Sequence, residues 1–236
     1  METTAPYILH YAPDNASLIV RLALEQRGLP YRTALVDRAR RAQDSAAYKR
    51  LNPQGLIPVL ETDAGAVFET GAILLWLADR HGGLGPAPAD PARGAFLKWL
   101  FFTSNTLHAD LRMLFYPARY VGADAGAQAA LHDAATQRLH RHFTLLNEAA
   151  ASGTGLFAGT EPTALGWYLL VCVRWSALYP ERGTAWFSIA RYPRLHALAL
   201  RHETHPAMIR ASQAEGLGPA PISSPCRPQP PEGSPT

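Results

Sequence analysis

The chain changes its secondary-structure pattern once, at a segment rich in Gly, Pro and Ala around residues 82–91. Before this segment, short apolar runs alternate with helical patterns in the order βαβ and then ββα. After it, every periodic segment up to about residue 216 has helical spacing. The sequence therefore predicts an α/β domain with a mixed four-stranded sheet, followed by an all-α domain. The predicted parts are a first domain at 1–82, a linker at 83–91, a helical domain at 92–216 and a disordered, Pro-rich tail at 217–236.

Local patterns place the individual elements. Strands are predicted at Tyr7–Tyr11, Tyr31–Val36, Leu56–Glu61 and Ala66–Phe68, with the turn Asp63-Ala64-Gly65 between the last two. Helices are predicted at Ser17–Arg27, at Glu69–Arg80, and near 91–116, 125–151, 162–178, 184–203 and 206–215.

Composition narrows the classes of function. The chain is 47% hydrophobic and 17% charged, with a formal net charge of +3, so it resembles a soluble folded protein and gives no argument for a nucleic-acid partner. It has no run of 18 apolar residues and no signal-peptide pattern at its start, so we expect neither a membrane span nor export. With only two cysteines and no cluster of metal-ligand spacing, we expect a cytoplasmic protein without a disulfide framework or metal.

Three segments in this order resemble the glutathione transferase family. They are Tyr11-Ala12-Pro13-Asp14-Asn15-Ala16-Ser17, Asn52-Pro53-Gln54-Gly55-Leu56-Ile57-Pro58-Val59-Leu60 and Phe68-Glu69-Thr70-Gly71-Ala72-Ile73-Leu74. The helical half is similar to the bacterial beta-type branch through Ser104-Asn105-Thr106-Leu107-His108 and Arg174-Trp175. The resemblance implies a thioredoxin-like first domain and a helical second domain of the glutathione transferase type. Ala16 stands where beta-type members often have a cysteine, so the catalytic cysteine of that branch is missing.

The resemblance implies that glutathione is bound as a co-substrate and that its thiol is ionised. A free thiol has a pKa of about 8.5, and lowering it by about two units requires about 2.7 kcal/mol of preferential thiolate stabilisation. Ser17, where the loop becomes the first helix, and Tyr11, at the end of the first strand, are the two candidate hydroxyl donors. Asn15 is a possible second donor. The alternatives are that Ser17 only caps the helix and that Tyr11 is only packed at the strand end.

The other two segments imply contacts with the rest of glutathione. Ile57–Pro58 is expected to be a cis peptide that presents the Ile57 backbone to the ligand, the alternative being an ordinary trans proline at a strand edge. Leu56 lies in the same contact segment but replaces the Lys or Gln often found there, so one polar contact is expected to be missing. Glu69 and Thr70, at the start of a helix, would bind the γ-glutamyl amine and carboxylate, or would only cap that helix.

The implied activity is transfer of the glutathione thiolate to a small hydrophobic electrophile in a pocket lined by the helical domain. His108 matches a residue on the electrophile side in beta-type members, although a structural histidine is equally compatible. The candidate pocket liners are Trp99, Phe102, Tyr116 and Trp175. The alternatives are a non-catalytic glutathione-binding or protein-interaction module, and a glutathione-dependent disulfide reductase or isomerase. A homodimer is also implied, and no membrane partner is expected.

Overall fold

The structure, a computed structural model, describes residues 7–151, 157 and 159–235. The strands are β1 (Tyr7–Tyr11), β2 (Tyr31–Leu35), β3 (Val59–Thr62) and β4 (Gly65–Phe68). They form one sheet in the order β2-β1-β3-β4. Strand β1 pairs in parallel with β2 and antiparallel with β3, and β3 pairs antiparallel with β4. The predicted mixed four-stranded sheet is therefore confirmed.

Helices cover the sheet and form the whole second part of the described chain. They are α1 (Ser17–Arg27), α2 (Ala46–Leu51), α3 (Thr70–His81), α4 (Arg93–Phe102), α5 (His108–Phe115), α6 (Ala118–Val121), α7 (Ala125–Ala151), α8 (Ala164–Leu178), α9 (Pro193–Glu203) and α10 (Pro206–Glu215). The order of an α/β part and an all-helical part is as predicted. None of these helices combines the length and apolar character needed to cross a bilayer.

Helix α1 joins the two parts of the molecule. Its residues from Ser17 to Leu24 are all buried, so it has no solvent-facing side along that length. It contacts α3 in the first part and α8 and α10 in the second. A helix that is apolar nearly all round is stable only when it is covered on every side, which explains why α1 lies between the domains.

One predicted helix is interrupted. The expected helix at 91–116 consists of α4, a π-helical turn at Thr103–Leu107, and α5. A π turn adds a residue to the local helical repeat and often occurs at functional sites. Here Ser104 and Asn105 of the turn line the cavity described below.

The C-terminal residues differ from the prediction of a disordered tail. The described residues 217–235 follow a defined course across both domains, and Leu217 and Ile222 are buried in the core. The Glu203 carboxylate accepts hydrogen bonds from the backbone N–H of Ile222 at 2.7 Å and of Ser223 at 2.6 Å. Composition suggested disorder because the segment offers few apolar side chains, but its backbone is held by charged side chains of the helical domain.

Candidate functional site

A cavity of about 760 Å³ lies between the first domain and the helical domain. Its polar wall comes from the start of α1, the loop before β3 and the start of α3, and its aromatic wall comes from α5, α8 and the segments that follow them. The residues that line it include Asn15, Ala16, Arg38, Gln54, Leu56, Ile57, Pro58, Glu69, Thr70, His108, Arg112, Phe115, Tyr116, Arg119, Tyr168, Trp175, Tyr179 and Pro235.

The loop before β3 is fixed by hydrogen bonds to one carbonyl. The Leu56 carbonyl accepts from the Asn52 side-chain amide and from the Tyr48 hydroxyl, each at 2.8 Å. Gly55 has φ +64°, and a Cβ atom there would lie 2.8 Å from the Gln43 carbonyl oxygen. Only glycine fits this backbone position, so the Asn-Pro-Gln-Gly sequence sets the shape of the loop.

The Ile57–Pro58 peptide bond is cis, which confirms the prediction. Leu56, Ile57 and Pro58 all line the cavity. Strand β3 begins directly afterwards at Val59, so this wall of the cavity continues into the sheet.

The start of α3 presents a carboxylate and a hydroxyl. Glu69 has φ +69°, a region that non-glycine residues seldom adopt, and its carboxylate accepts a hydrogen bond from the Gln54 amide at 3.3 Å. Thr70 is buried and its side chain hydrogen-bonds with Tyr168 of α8. Both predicted residues therefore line the cavity, and Thr70 also connects the two domains.

At the start of α1, Asn15 is the polar side chain that reaches the cavity. Its Oδ1 accepts a hydrogen bond from the Ala16 N–H at 2.8 Å. Because Oδ1 is fixed in this way, the orientation of the amide is set and its Nδ2 group is left to donate elsewhere. Among the residues the structure describes, no acceptor for Nδ2 is found.

The structure does not bring Ser17 to the cavity. Ser17 is fully buried, and its hydroxyl donates to the Ala12 carbonyl at 3.0 Å and accepts from the Ala12 N–H at 3.3 Å. The residue at the helix cap position is Ala16, not Ser17. The hydroxyl thus closes the loop between β1 and α1, which corrects both readings of Ser17, thiolate donor and helix cap.

Tyr11 is likewise not placed at the cavity. Its side chain is buried, and its hydroxyl donates a short hydrogen bond to the Glu232 carboxylate of the C-terminal segment. Burial, and next the carboxylate acceptor, raise the pKa of Tyr11 above its ordinary value. No local pattern around Tyr11 indicates that a residue 221 positions away would occupy this hydroxyl.

His108 lies on the aromatic side of the cavity, as its predicted position required. Its Nδ1 is 2.8 Å from the Tyr168 hydroxyl, and its ring centre is 5.1 Å from that of Trp175. Burial, with a smaller contribution from the Arg112 charge, lowers the pKa of His108 to about 4. The imidazole is therefore neutral near pH 7. Together with Thr70, it forms a hydrogen-bonded chain through Tyr168, a residue that sequence analysis did not identify.

A second residue missed by sequence analysis is Asp14, the centre of a buried polar network. Its carboxylate accepts two hydrogen bonds from Arg174 at 2.9 Å each and one from the Tyr179 hydroxyl at 2.8 Å. The Trp175 indole donates to the backbone carbonyl of Asp14 at 3.0 Å, and the backbone N–H of Asp14 donates to the Glu215 carboxylate at 2.7 Å. In sequence, Asp14 is an ordinary turn residue, and only the Arg174-Trp175 pair carried a signal.

The predicted electrophile pocket is partly as expected. Tyr116 and Trp175 line the cavity. Trp99 and Phe102 do not: their rings contact each other, with centres 5.3 Å apart, and Phe102 also meets His142. These two aromatic residues belong to the helical packing.

The fold and the cavity define a class of protein: a thioredoxin-like domain whose ligand site is completed by an all-helical domain. Residues 16–80 match the family described as the N-terminal domain of glutathione S-transferase. A glutathione S-transferase of Xanthomonas campestris pv. campestris, GST-4.5, is 31% identical over 211 residues, which cover 89% of this chain and 98% of that protein. The protein belongs to the glutathione S-transferase family.

Other comparisons agree with this assignment and show the range of the family. The structure of a sphingomonad glutathione S-transferase complexed with glutathione has a TM-score of 0.74 and 29% identity, covering 89% of this chain and all (100%) of that one. The disulfide-bond oxidoreductase YfcG of Escherichia coli is 35% identical over 101 residues, 40% of this chain and 46% of that protein. The family therefore includes members named for a different reaction.

Proposed function

We propose that the protein binds glutathione along the polar wall of the cavity and transfers its thiolate to a small electrophile held against the aromatic wall. The main support for the proposal is that the polar wall and the aromatic wall border the same cavity. The solved structure of the sphingomonad relative contains glutathione. In the proposed arrangement, Leu56, Ile57 and Pro58 contact the cysteinyl part of glutathione, while Thr70 and the start of α3 bind the γ-glutamyl carboxylate and Glu69 binds the amine.

Asn15 takes the role of thiolate donor in this proposal. Its Nδ2 group is directed away from the Ala16 N–H. Asn15 lies two residues before α1, close to a helix end at which backbone N–H groups favour negative charge. A charge-assisted hydrogen bond and the helix end act in the same direction and lower the pKa of the bound thiol. The hydrogen bonds between the Ser17 hydroxyl and the Ala12 backbone support Asn15 over Ser17 for this role.

The transfer step needs few groups. The thiol proton passes to solvent, and the sulfur electron pair forms a bond with an electrophilic carbon. In a substitution, the leaving group departs with the electrons of its bond to that carbon. In an addition, the π electrons of the acceptor take up a proton from water. Neutral His108, held by Tyr168, borders the space in which these groups would move.

A disulfide reductase that depends on a protein thiol is less well supported. Cys172 is fully buried in α8, where burial raises the pKa of its thiol, and Cys226 is an exposed residue of the C-terminal segment. Neither lines the cavity. Redox chemistry would therefore have to use the thiols of glutathione itself.

We further propose a cytoplasmic location, where glutathione is the main thiol pool, and a homodimer, which light scattering after gel filtration would test.

The test is a titration with glutathione, followed by ultraviolet absorbance of the thiolate across pH. Asn15→Asp keeps the acceptor for the Ala16 N–H but replaces the donor with a carboxylate. We expect the wild-type protein to lower the pKa of the bound thiol by at least about one unit, worth about 1.4 kcal/mol, and Asn15→Asp to abolish that lowering.

Ser17→Ala is the matched control. It should leave the pKa of the bound thiol unchanged while destabilising the fold by about 1–3 kcal/mol, because the buried Ala12 backbone groups lose their partner. Glutathione that binds without any lowering of the thiol pKa would favour the non-catalytic binding module. No binding at all would overturn the proposed function.

A further inference from the structure

The cavity lining includes three arginines, Arg38, Arg112 and Arg119, and two of them contact Tyr116. Arg38, from the loop after β2, donates from Nη2 to the Tyr116 hydroxyl at 2.9 Å. The guanidinium carbon of Arg119 lies 5.1 Å from the centre of the Tyr116 ring. Arg112 is one helical turn before Tyr116, on α5, and lines the same cavity. The three cations come from both domains, so it is the fold that brings them together.

Within residues 7–151, 157 and 159–235, none of these three guanidinium groups is paired with a carboxylate. Arg38 also donates to the Pro235 carbonyl, and Arg112 has no hydrogen-bond partner for its side chain in that part of the chain. The fully buried Arg174, in contrast, is paired with Asp14. Like charges gathered in a cavity with low-dielectric walls create a strong positive potential, which an anionic ligand would neutralise.

The acidic residues of the cavity lie mostly elsewhere. Glu69 is at the start of α3, on the polar wall, and Asp14 is fully engaged in its buried network. Asp44 is paired with Arg41 at 2.8 Å, and Glu181 lies 3.9 Å from Arg227. The charge of the cavity is therefore divided, with free cations beside the aromatic wall that would hold the second substrate.

The planar guanidinium group offers paired N–H donors whose geometry matches a carboxylate. Phe115, three residues after Arg112, and Trp175, whose ring centre lies 6.4 Å from that of Phe115, both line the cavity and offer apolar surface for an unsaturated or aromatic skeleton. We propose that the second substrate is a small unsaturated or aromatic carboxylic acid, with its carboxylate held by Arg112 and Arg119. The proposal rests on the proposed function for the reaction, but the binding of the acid requires no transfer step.

The test compares trans-cinnamate with cinnamamide, which has the same ring and chain but no charge. Isothermal titration calorimetry is carried out first without glutathione. We expect cinnamate to bind the wild-type protein at least about tenfold more tightly than cinnamamide. Arg112→Gln should reduce this preference to less than about threefold, and Arg112→Lys should restore part of it.

Two further variants keep the result interpretable. Arg119→Gln changes an exposed side chain that folding should tolerate, and it should also reduce the preference for cinnamate. Arg194→Gln removes the same charge from the exposed surface of α9, outside the cavity, and should leave the preference unchanged.

Equal affinity for the two compounds in the wild-type protein would overturn the proposal, as would a preference that survives both Arg112→Gln and Arg119→Gln. If these variants instead weaken glutathione binding and leave the preference for cinnamate intact, the arginines hold a carboxylate of glutathione and the proposal is wrong. The protein could also bind cinnamate through Arg112 but neither bind nor ionise glutathione. That result would overturn the proposed function and leave the proposal for the second ligand standing.

Discussion

At the scale of single residues, burial determines whether a histidine can accept a proton. His202 of α9 is 2% exposed, and its ring lies 5.8 Å from that of Trp167. Burial lowers its pKa to about 4, Arg201 and His205 act in the same direction, and Glu161 opposes them. His108 is affected in the same way. The folded protein therefore holds both side chains neutral where an unfolded chain would begin to protonate them.

The consequence is a loss of stability in mild acid. The pKa of histidine in the unfolded chain is about 6.5, so the contribution of His202 is complete above that pH and is lost as the pH falls towards 4. Between pH 7 and pH 5 we expect His202 to remove about 2 kcal/mol from the free energy of unfolding. His202→Phe should reduce the pH dependence of urea unfolding by that amount. The control, His132→Gln at a partly exposed position, should leave the pH dependence of urea unfolding as it is in the wild-type protein. If His202→Phe also leaves it unchanged, burial of His202 is not the cause of the loss of stability.

Some residues of the site could be predicted from the sequence, and the turn before α1 shows why others could not. The segment around Ile57–Pro58 has its geometry set by local backbone signals, Gly55 among them, so its place in the cavity was predictable. Whether Asn15 or Ser17 faces the cavity depends on the turn at Asp14, which has φ +49°. That turn is held by partners far along the chain, so short-range patterns could not identify the correct side chain.

At the scale of elements, helix α8 forms the centre of the second domain. All its residues from Ala164 to Ser176 are buried, which is the pattern of a helix surrounded by others. Its first turn is capped by the Thr163 hydroxyl, which accepts from the Gly166 N–H at 3.1 Å. Gly166, three residues after Thr163, has no side chain that could complete a reciprocal cap.

Gly166→Ala is expected to stabilise the protein. A Cβ atom at this position would lie 3.6 Å from the Thr163 hydroxyl oxygen and 3.9 Å from the Pro162 Cβ, which are ordinary contacts. Replacing a glycine inside a helix with alanine should therefore increase the free energy of unfolding by about 0.5–1 kcal/mol. Thr163→Ala should lower it by about 1 kcal/mol through loss of the cap. Urea unfolding of both variants checks the two signs, and a destabilised Gly166→Ala would show that the site has no room.

Element order was predictable because periodicity distinguishes strands from helices, but element ends required tertiary information. The predicted helix at 184–203 begins only at Pro193, where proline is favoured in a first helical turn. The break at Thr103–Leu107 carries neither Gly nor Pro. It therefore has no residue of the kind that usually marks a helix break in sequence.

At the scale of the whole molecule, the C-terminal segment links both domains to the cavity. Arg174 donates to the carbonyls of Pro221 at 2.8 Å and Cys226 at 3.0 Å, while also pairing with Asp14. Composition could not predict this, because the stabilising contacts are made by the backbone of the segment, not by apolar side chains. Beyond these anchors the segment reaches Tyr11 through Glu232.

The last part of this segment lies in the cavity that is proposed to hold glutathione and its second substrate. Pro235 lines the cavity and its carbonyl accepts a hydrogen bond from Arg38, so we expect a bound ligand and this part of the chain to compete for the same space. Glu232→Ala removes the carboxylate that holds the segment against Tyr11. Because a hydrogen bond to a charged group contributes about 1.5–3 kcal/mol, we expect glutathione affinity to rise by up to about tenfold. Hydrogen exchange in residues 227–235 should become faster in the same variant, since one of their attachments to the first domain is lost. Glu148→Ala removes an equal charge from the exposed face of α7 and should change neither quantity.

Faster exchange without a gain in affinity would mean that the segment and glutathione occupy the cavity together, so that the contact with Tyr11 stabilises the fold without restricting access to the site.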